Sequence, residues 1–279
     1  MEKFANTKGV QVIAKSDHLD FLKNNKLIRI NKQHEVYYQD IIDSFDYYYD
    51  AVKPISFNGA DVVDYSSPRY HDVKNFDLMP VFFPSFSEPL STTNQYLNFA
   101  NLAPGSVVID LGAYAGLTSI LFKELVGGTG RVLAVDADMI NLDAIERNFN
   151  LYKKITGNKI DLLSGAIWNH CNGLNFSSEG NMGSSVADIL PGRGKSIEVK
   201  SYTLSKIAEI FEFESIEFIK SDIEGAENFI FENADAFFDK YNPRIIIESH
   251  MIGDKLTTEK CINDLSKYGY ECKSVDQLG

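Results

Sequence analysis

The sequence predicts an α/β fold: a mostly parallel sheet with helices on both faces, preceded by a small N-terminal subdomain. Three observations carry the prediction. From about Thr92 onward, apolar runs of strand length alternate with segments of helical periodicity. The run Val107-Val108-Ile109 ends in Asp110, turns through Gly112 and Gly116, and opens at once into a helical pattern. Two further apolar runs end in clusters of acidic residues, at Lys220 to Glu227 and at Arg244 to His250.

Residues 1 to about 88 lack a sustained alternation. They carry tyrosine clusters at Tyr37-Tyr38 and Tyr47-Tyr48-Tyr49, and turn signals at Asn58-Gly59 and Ser67-Pro68. Lys26 to Ile30 and Glu35 to Tyr38 read as short strands, and Asp40 to Ala51 reads as a helix. Pro80, Pro84 and Pro89 punctuate an extended passage into the second region. The stretch Val62 to His71 offers hydrogen-bonding groups compatible with a sugar, but a surface loop explains it equally well.

The second region opens with the strand at Val107. An uninterrupted β-branched run suits a strand covered on both faces. Gly112 and Gly116 lack a Cβ, so the chain can turn sharply there and approach a ligand closely. Leu117, Ile120, Leu121 and Leu125 then recur at helical spacing, and Gly127-Gly128 stops the helix. A strand from Arg131 to Val135 delivers Asp136, placed to accept hydrogen bonds from two ribose hydroxyls. A helix follows through Leu142, Ile145, Phe149 and Tyr152, and another through Leu204, Ile207, Ala208 and Phe211. Strands are expected at Ile160 to Leu163, Ile216 to Lys220 and Arg244 to Glu248. Between Leu174 and Tyr202, Gly180, Gly183, Gly192 and Gly194 break the rhythm, which predicts a hairpin or loop.

A nucleoside cofactor at the carboxyl edge of this sheet is the chemistry that the pattern supports. A dinucleotide turn reads Gly-x-Gly-x-x-Gly, and its middle glycine makes room for a pyrophosphate. Here that position is Tyr114, which argues for S-adenosylmethionine over NAD. An NAD-dependent sugar oxidoreductase or epimerase is the rival enzyme, and a non-catalytic nucleoside-binding protein the rival of another class. Asp222 is expected at the same edge as Asp110 and Asp136. Glu224 and Glu227 have a second reading, as favourable charges at a helix N-terminus. Strand alternation puts Glu248 and His250 on one face if the strand runs that far, with His250 as a general base, a substrate contact or a structural residue. Asp222, Glu248 and His250 are metal-ligand types, but no spacing on one element supports a metal, and none is expected.

Bulk properties exclude other classes. The 279 residues carry a net charge of −12, which repels phosphate backbones and argues against nucleic acid as a partner. Met1-Glu2-Lys3-Phe4 lacks the apolar core of a signal peptide, and no run has membrane-spanning length. Cys171, Cys261 and Cys272 form neither a zinc pattern nor a disulfide framework. A reduced, cytoplasmic protein without membrane insertion is the expectation.

Read in order, Asp110-Leu-Gly-Ala-Tyr-Ala-Gly, Val135-Asp-Ala-Asp138, the helix through Asn148, Ser201-Tyr-Thr-Leu204, Lys220-Ser-Asp-Ile-Glu-Gly-Ala-Glu227 and Glu248-Ser-His250 resemble the FkbM-type family of S-adenosylmethionine-dependent methyltransferases. The resemblance covers roughly Val107 to His250, and the Asp-x-Glu-Gly-Ala-Glu element is its most specific part. It implies a class I methyltransferase (Rossmann-like) sheet of seven strands and O-methylation of a hydroxyl on a sugar, glycan or natural product. It also implies that Asp110, Gly112 and Gly116 flank the methionine moiety, that Asp136 and Ala137 lie at the ribose, and that Gly165, Ala166 and Ile167 lie near adenine. Asp222 or His250 is expected to receive the acceptor's proton while Glu224 helps orient the acceptor, and Asp222 is expected at the cofactor as well. The family often has Asn where this chain has Tyr114, so the contact to the cofactor's amino-acid tail differs here. A ring at that place offers a sulfonium a cation–π contact of ~0.5–2 kcal/mol. Only Tyr270 to Val275 remains as strand material at the end, so the closing antiparallel pair is expected to be incomplete or borrowed from the N-terminal region. Residues 1–88 are accordingly read as a cap or subdomain, and 89–279 as the methyltransferase domain.

Overall fold

A computed structural model describes residues 8–57, 59–187 and 195–275. Asn58, Gly192, Gly194 and the segment Met1 to Phe4 lie outside the described residues. Contacts part the chain into two compact units, one ending at Gln95 and the other beginning at Tyr96.

The N-terminal unit is built on a five-stranded sheet. Its spatial order is Gln11–Ala14, His18–Lys23, Lys26–Asn31, Ala60–Tyr65 and Ile55–Phe57. Lys26–Asn31 is the strand expected there, and it runs parallel to Ala60–Tyr65. Phe21, Ile28, Ile30, Val63, Ile41 and Phe45 are buried and form its core. Glu35 to Tyr38 is not a strand: Lys32–Tyr37 forms a 3-10 helix capped by the Asn31 side chain, which accepts from Gln33 N–H. The local cap outcompetes β propensity at Val36 and Tyr37. The helix expected over Asp40 to Ala51 is two short helices, Tyr38–Asp43 and Phe45–Tyr49, broken at Ser44 with φ −122° and ψ 42°. A cavity of about 340 Å³ in this unit is lined by Asp64, Arg69, Tyr70 and His71 among others, the polar residues that stood out in the sequence.

In the second unit, β1 (Val107–Leu111), β2 (Arg131–Asp136), β3 (Asp161–Ser164), β4 (Phe218–Ser221) and β5 (Arg244–Ile247) form the central sheet. All neighbours are parallel, and the spatial order is β3-β2-β1-β4-β5. The order reverses between β1 and β4, which makes that crevice the topological switch point of the sheet. Helices α1 (Leu117–Val126), α2 (Met139–Thr156) and α3 (Leu204–Ile210) return the chain between strands. Ile109, Leu111, Leu133, Val135 and Ile219 are buried on the strands and pack with Leu204, Ile207, Phe231 and Phe237.

Among the described residues the sheet has five strands rather than seven. Residues 270–275 form no strand, so the closing antiparallel pair is absent there. Tyr270 instead packs against the core and donates its hydroxyl to the carbonyl of Pro243. β5 ends at Ile247, so strand alternation does not reach Glu248 and His250; the turn after the strand places them. The segment expected as a hairpin is a three-stranded antiparallel ribbon, with Leu174–Ser178 between Ser185–Val186 and Lys195–Val199.

Candidate active site

Register brings the chemistry together. Asp110 on β1 lies directly beside Lys220 on β4, and Leu111 beside Ser221. The sheet carries on for one more bond on either side: Asp222 N–H donates to Leu111 O at 3.1 Å, and Glu248 N–H to Ser221 O at 2.9 Å. Asp110, Asp222 and Glu248 therefore emerge at one edge.

Gly112 is where the strand tips meet. Its N–H donates to Val135 O at 3.0 Å, and its carbonyl accepts from Lys220 Nζ at 2.7 Å. Its φ is +74°, and a Cβ there would come within 1.7 Å of the Asp222 carbonyl oxygen. Glycine is demanded twice over, by conformation and by the close approach of another backbone. Gly116, also left-handed at φ +77°, caps α1 against the ring of Phe149. Between them Tyr114 has φ +53°, a rare state for a bulky side chain.

Asp136 is buried at the tip of β2. One oxygen accepts from Tyr114 N–H at 2.9 Å and the other from Asp138 N–H at 2.9 Å, so the turn and the carboxylate fix one another. Burial pushes its pKa up to about 7 against the opposing help of these two amides. The Asn141 side chain adds a third hydrogen bond to the carboxylate. Ala137 and Ala166 are buried in one cluster beside it, and Gly165 N–H donates to Asp136 O at 2.9 Å. Ile167 turns into the main core instead, with Leu204 and Ile207.

On the other side of Gly112 lies a chain of charges. Asp110 is fully buried; its carboxylate accepts from Ser119 Oγ at 2.5 Å and lies 3.3 Å from Lys220 Nζ. Burial raises its pKa, and Lys220 works against that shift. Lys220 also lies 3.4 Å from Asp222. Burial disfavours its charge, but Asp222, Asp110 and Glu248 outweigh burial and raise its pKa. Glu248 accepts from the hydroxyl of Tyr96, and burial beside Asp222 raises its pKa.

His250 sits among three carboxylates. Nδ1 is 3.1 Å from Glu227, while Nε2 is 3.4 Å from Asp222 and 3.7 Å from Glu224. Burial opposes its charge, but the bond to Glu227 and the charges of Glu224 and Asp222 prevail and push its pKa up to about 10. At neutral pH it is an imidazolium, a donor rather than an acceptor. Burial pushes Glu224 up to about 8, so this carboxyl is mostly protonated at neutral pH. The donor atoms of Asp222, Glu224 and His250 all lie within 4.8 Å of one another, close enough for one cation to reach all three.

The structure thus joins Asp222, Glu224 and His250, and sets Asp110 and Gly112 beside them. It also shows residues whose part the sequence did not declare. Glu227 is fully buried and accepts from Ile223 N–H at 2.9 Å and Gly225 N–H at 2.8 Å, besides holding His250. Lys220 ties β1 to β4; a lysine closing an otherwise apolar strand was its only signal. Tyr96 reaches Glu248 from 152 residues away in sequence, a contact without any local signature.

A turn crowded to the limit of glycine, a buried carboxylate and small side chains thus meet at one edge of the sheet. The description "Methyltransferase FkbM domain" matches residues 110–272, more than half of the chain. No curated protein matches. Among solved structures, a methyltransferase FkbM from Methylobacillus flagellatus KT is 19% identical, with a TM-score of 0.45 over 65% of this chain and 41% of that one. A precorrin-6y C5,15-methyltransferase from Geobacter metallireducens GS-15 is 16% identical, with a TM-score of 0.39 over 64% of this chain and 70% of that one. Aeropyrum pernix fibrillarin, solved with natively bound S-adenosyl-L-methionine, is 12% identical, with a TM-score of 0.39 over 95% and 92%. With its parallel sheet and a family match that begins at Asp110, the chain belongs to the FkbM methyltransferase family, enzymes with a class I methyltransferase fold whose methyl donor is S-adenosylmethionine.

Proposed function

We propose that the protein O-methylates a hydroxyl of a sugar, glycan or other natural product, with Asp222 as the group that takes the proton. The observation that carries this reading is the Asp222–His250–Glu224 cluster at the switch point, on the same sheet edge as Asp110 and Asp136. An alcohol must lose its proton as it is methylated, and a carboxylate held open by charged neighbours suits that task.

In this reading Asp110, Gly112, Tyr114 and Gly116 line the methionine end, Asp136 and Ala137 the ribose, and Gly165 and Ala166 the adenine, while Ile167 belongs to the core behind them. S-adenosylmethionine supplies a methyl group already activated by its sulfonium. The protein's own work is then mostly placement, worth ~7–11 kcal/mol, with ~3–5 kcal/mol from proton removal. Glu227 fixes His250 through Nδ1, which turns Nε2 toward Asp222 and Glu224. Glu224, protonated near neutrality, donates a hydrogen bond that orients the acceptor oxygen. Lys220 holds the turn at Leu111 and Gly112 in place and balances Asp110.

Transfer of a labelled methyl group onto a panel of hydroxylated sugars and natural products tests the reading. Alkali-stable ether label is expected, and Asp222→Asn is expected to slow turnover by ~10²–10⁴-fold while S-adenosylhomocysteine still binds. Label that enters amines alone would overturn O-methylation. Full turnover by Asp222→Asn would overturn the assignment of the base.

A further inference from the structure

The ribbon of Leu174–Ser178, Ser185–Val186 and Lys195–Val199 is joined to the start of α2 by the Asp138 carboxylate, and also by Asn141, whose Nδ2 donates to Asn181 O at 3.3 Å. Asp138, fully buried at the N-terminus of α2, caps that helix with Oδ1, accepting from Ile140 N–H at 2.8 Å and Asn141 N–H at 3.4 Å. Its Oδ2 turns to the ribbon, where it accepts from Ser178 Oγ at 2.9 Å, Glu179 N–H at 2.9 Å, Gly180 N–H at 2.9 Å and Ser184 Oγ at 2.7 Å. Four donors thus converge on one carboxylate oxygen, a directional attachment of the ribbon. The apolar face of the ribbon lands beside it: Phe176 and Val186 share a buried cluster with Ala137, Ala166 and Ala226. Ala137 follows Asp136 in sequence, and Ala166 follows Gly165, whose N–H is bonded to the Asp136 carbonyl.

We propose that the ribbon is a wall of the adenosine pocket and that Asp138 is the positioning residue that latches it there. The inference rests on the reading in which Asp136 and residues 165–166 hold the nucleoside. Asp138 does not meet the reacting atoms. It sets how tightly the donor is held, and leaves the rate of methyl transfer from bound donor alone. Its own N–H, bonded to Asp136 Oδ1 at 2.9 Å, joins the latch to the ribose carboxylate.

Two variants probe the latch from opposite sides. Asp138→Asn turns an amide against donors. Ser178→Ala/Ser184→Ala removes two ribbon hydroxyls but leaves the helix cap and Asp136 untouched, and so stands in should Asp138→Asn fail to fold. Calorimetry with S-adenosylhomocysteine and with adenosine alone is expected to show both ligands bound at least tenfold more weakly by Asp138→Asn and about threefold or more by the double variant. Turnover at saturating donor and the KM for acceptor are expected to stay within about twofold of the parent. Folded variants with parental affinity, or with lost turnover and intact affinity, would overturn the latch. Asp136→Ala, measured alongside, separates the two readings. If it weakens binding while the ribbon variants do not, only the latch falls; if it does not weaken binding, the nucleoside assignment falls and takes the latch with it.

Discussion

Tyr114 shows how one residue can be held against its own preference. A left-handed conformation costs an ordinary residue roughly 1–2 kcal/mol, and asparagine tolerates it better. The chain holds tyrosine there because its N–H is bound by Asp136 and its neighbours Gly112 and Gly116 set the turn. Tyr114→Asn is therefore expected to raise stability by about 0.5–1 kcal/mol in urea unfolding. It is also expected to weaken donor binding by ~0.5–2 kcal/mol, the worth of a ring facing a sulfonium. A variant that is more stable and binds the donor as before would show that the ring has no part in the site. The glycine turn and Asp136 were legible in the sequence because conformation and strand position leave a local trace. Glu227 was readable only by half: its place at a helix start was visible, but its bonds to Ile223, Gly225 and His250 depend on tertiary packing.

At the scale of elements, β1 and β4 are fastened by a buried ion pair as well as by their ladder. Removing one partner of such a pair strands the other, at a cost of about 3–5 kcal/mol. Lys220→Met is expected to lose that much at pH 7, because the fully buried Asp110 is then left without its cation. Asp110→Asn/Lys220→Met should recover a large part of the loss, and a double-mutant cycle by chemical denaturation measures it. Strictly additive losses would mean that the two residues act independently. The parallel strands themselves were plain from their apolar runs. The length of β5 was not: Glu248-Ser249-His250 continues in sequence what looks like a strand, yet the strand ends at Ile247 and the last bond to β4 is the one Glu248 N–H makes. Likewise the 3-10 helix at Lys32–Tyr37 arises from a side-chain cap that β propensity does not register.

For the whole molecule, the buried charges give the apoprotein a definite pH dependence. Asp136 is raised from 3.8 to about 7, Glu224 from 4.5 to about 8, and His250 from 6.5 to about 10. In each case the folded state binds its proton more tightly than the unfolded state. The contribution to stability is full below the unfolded value and is lost as pH rises through the folded one. Buried His34 and His71 are lowered, His71 to about 4, and oppose this trend below about pH 6.5, so urea midpoints are expected to fall between pH 6.5 and 8.5. Asp64, Asp161 and Asp264 are lowered and oppose the trend only in acid, where they protonate below their ordinary range. A midpoint that rises across this range would show that these groups are ionised in the fold without cost. The overall architecture was largely legible because alternation of strand and helix is a property of the sequence itself. The ribbon's attachment was not, since Asp138 meets partners 40 to 46 residues away.

Asp136 carries one more consequence. Its two oxygens already serve the chain's own amides, and a ribose would add two donors to a group poised half-protonated near neutrality. Those donors favour the anion, so taking up the nucleoside would expel a proton into solution. The heat of association would then vary with the ionisation enthalpy of the buffer, and the grip on the methyl donor would tighten in alkali over the range in which the empty protein loosens.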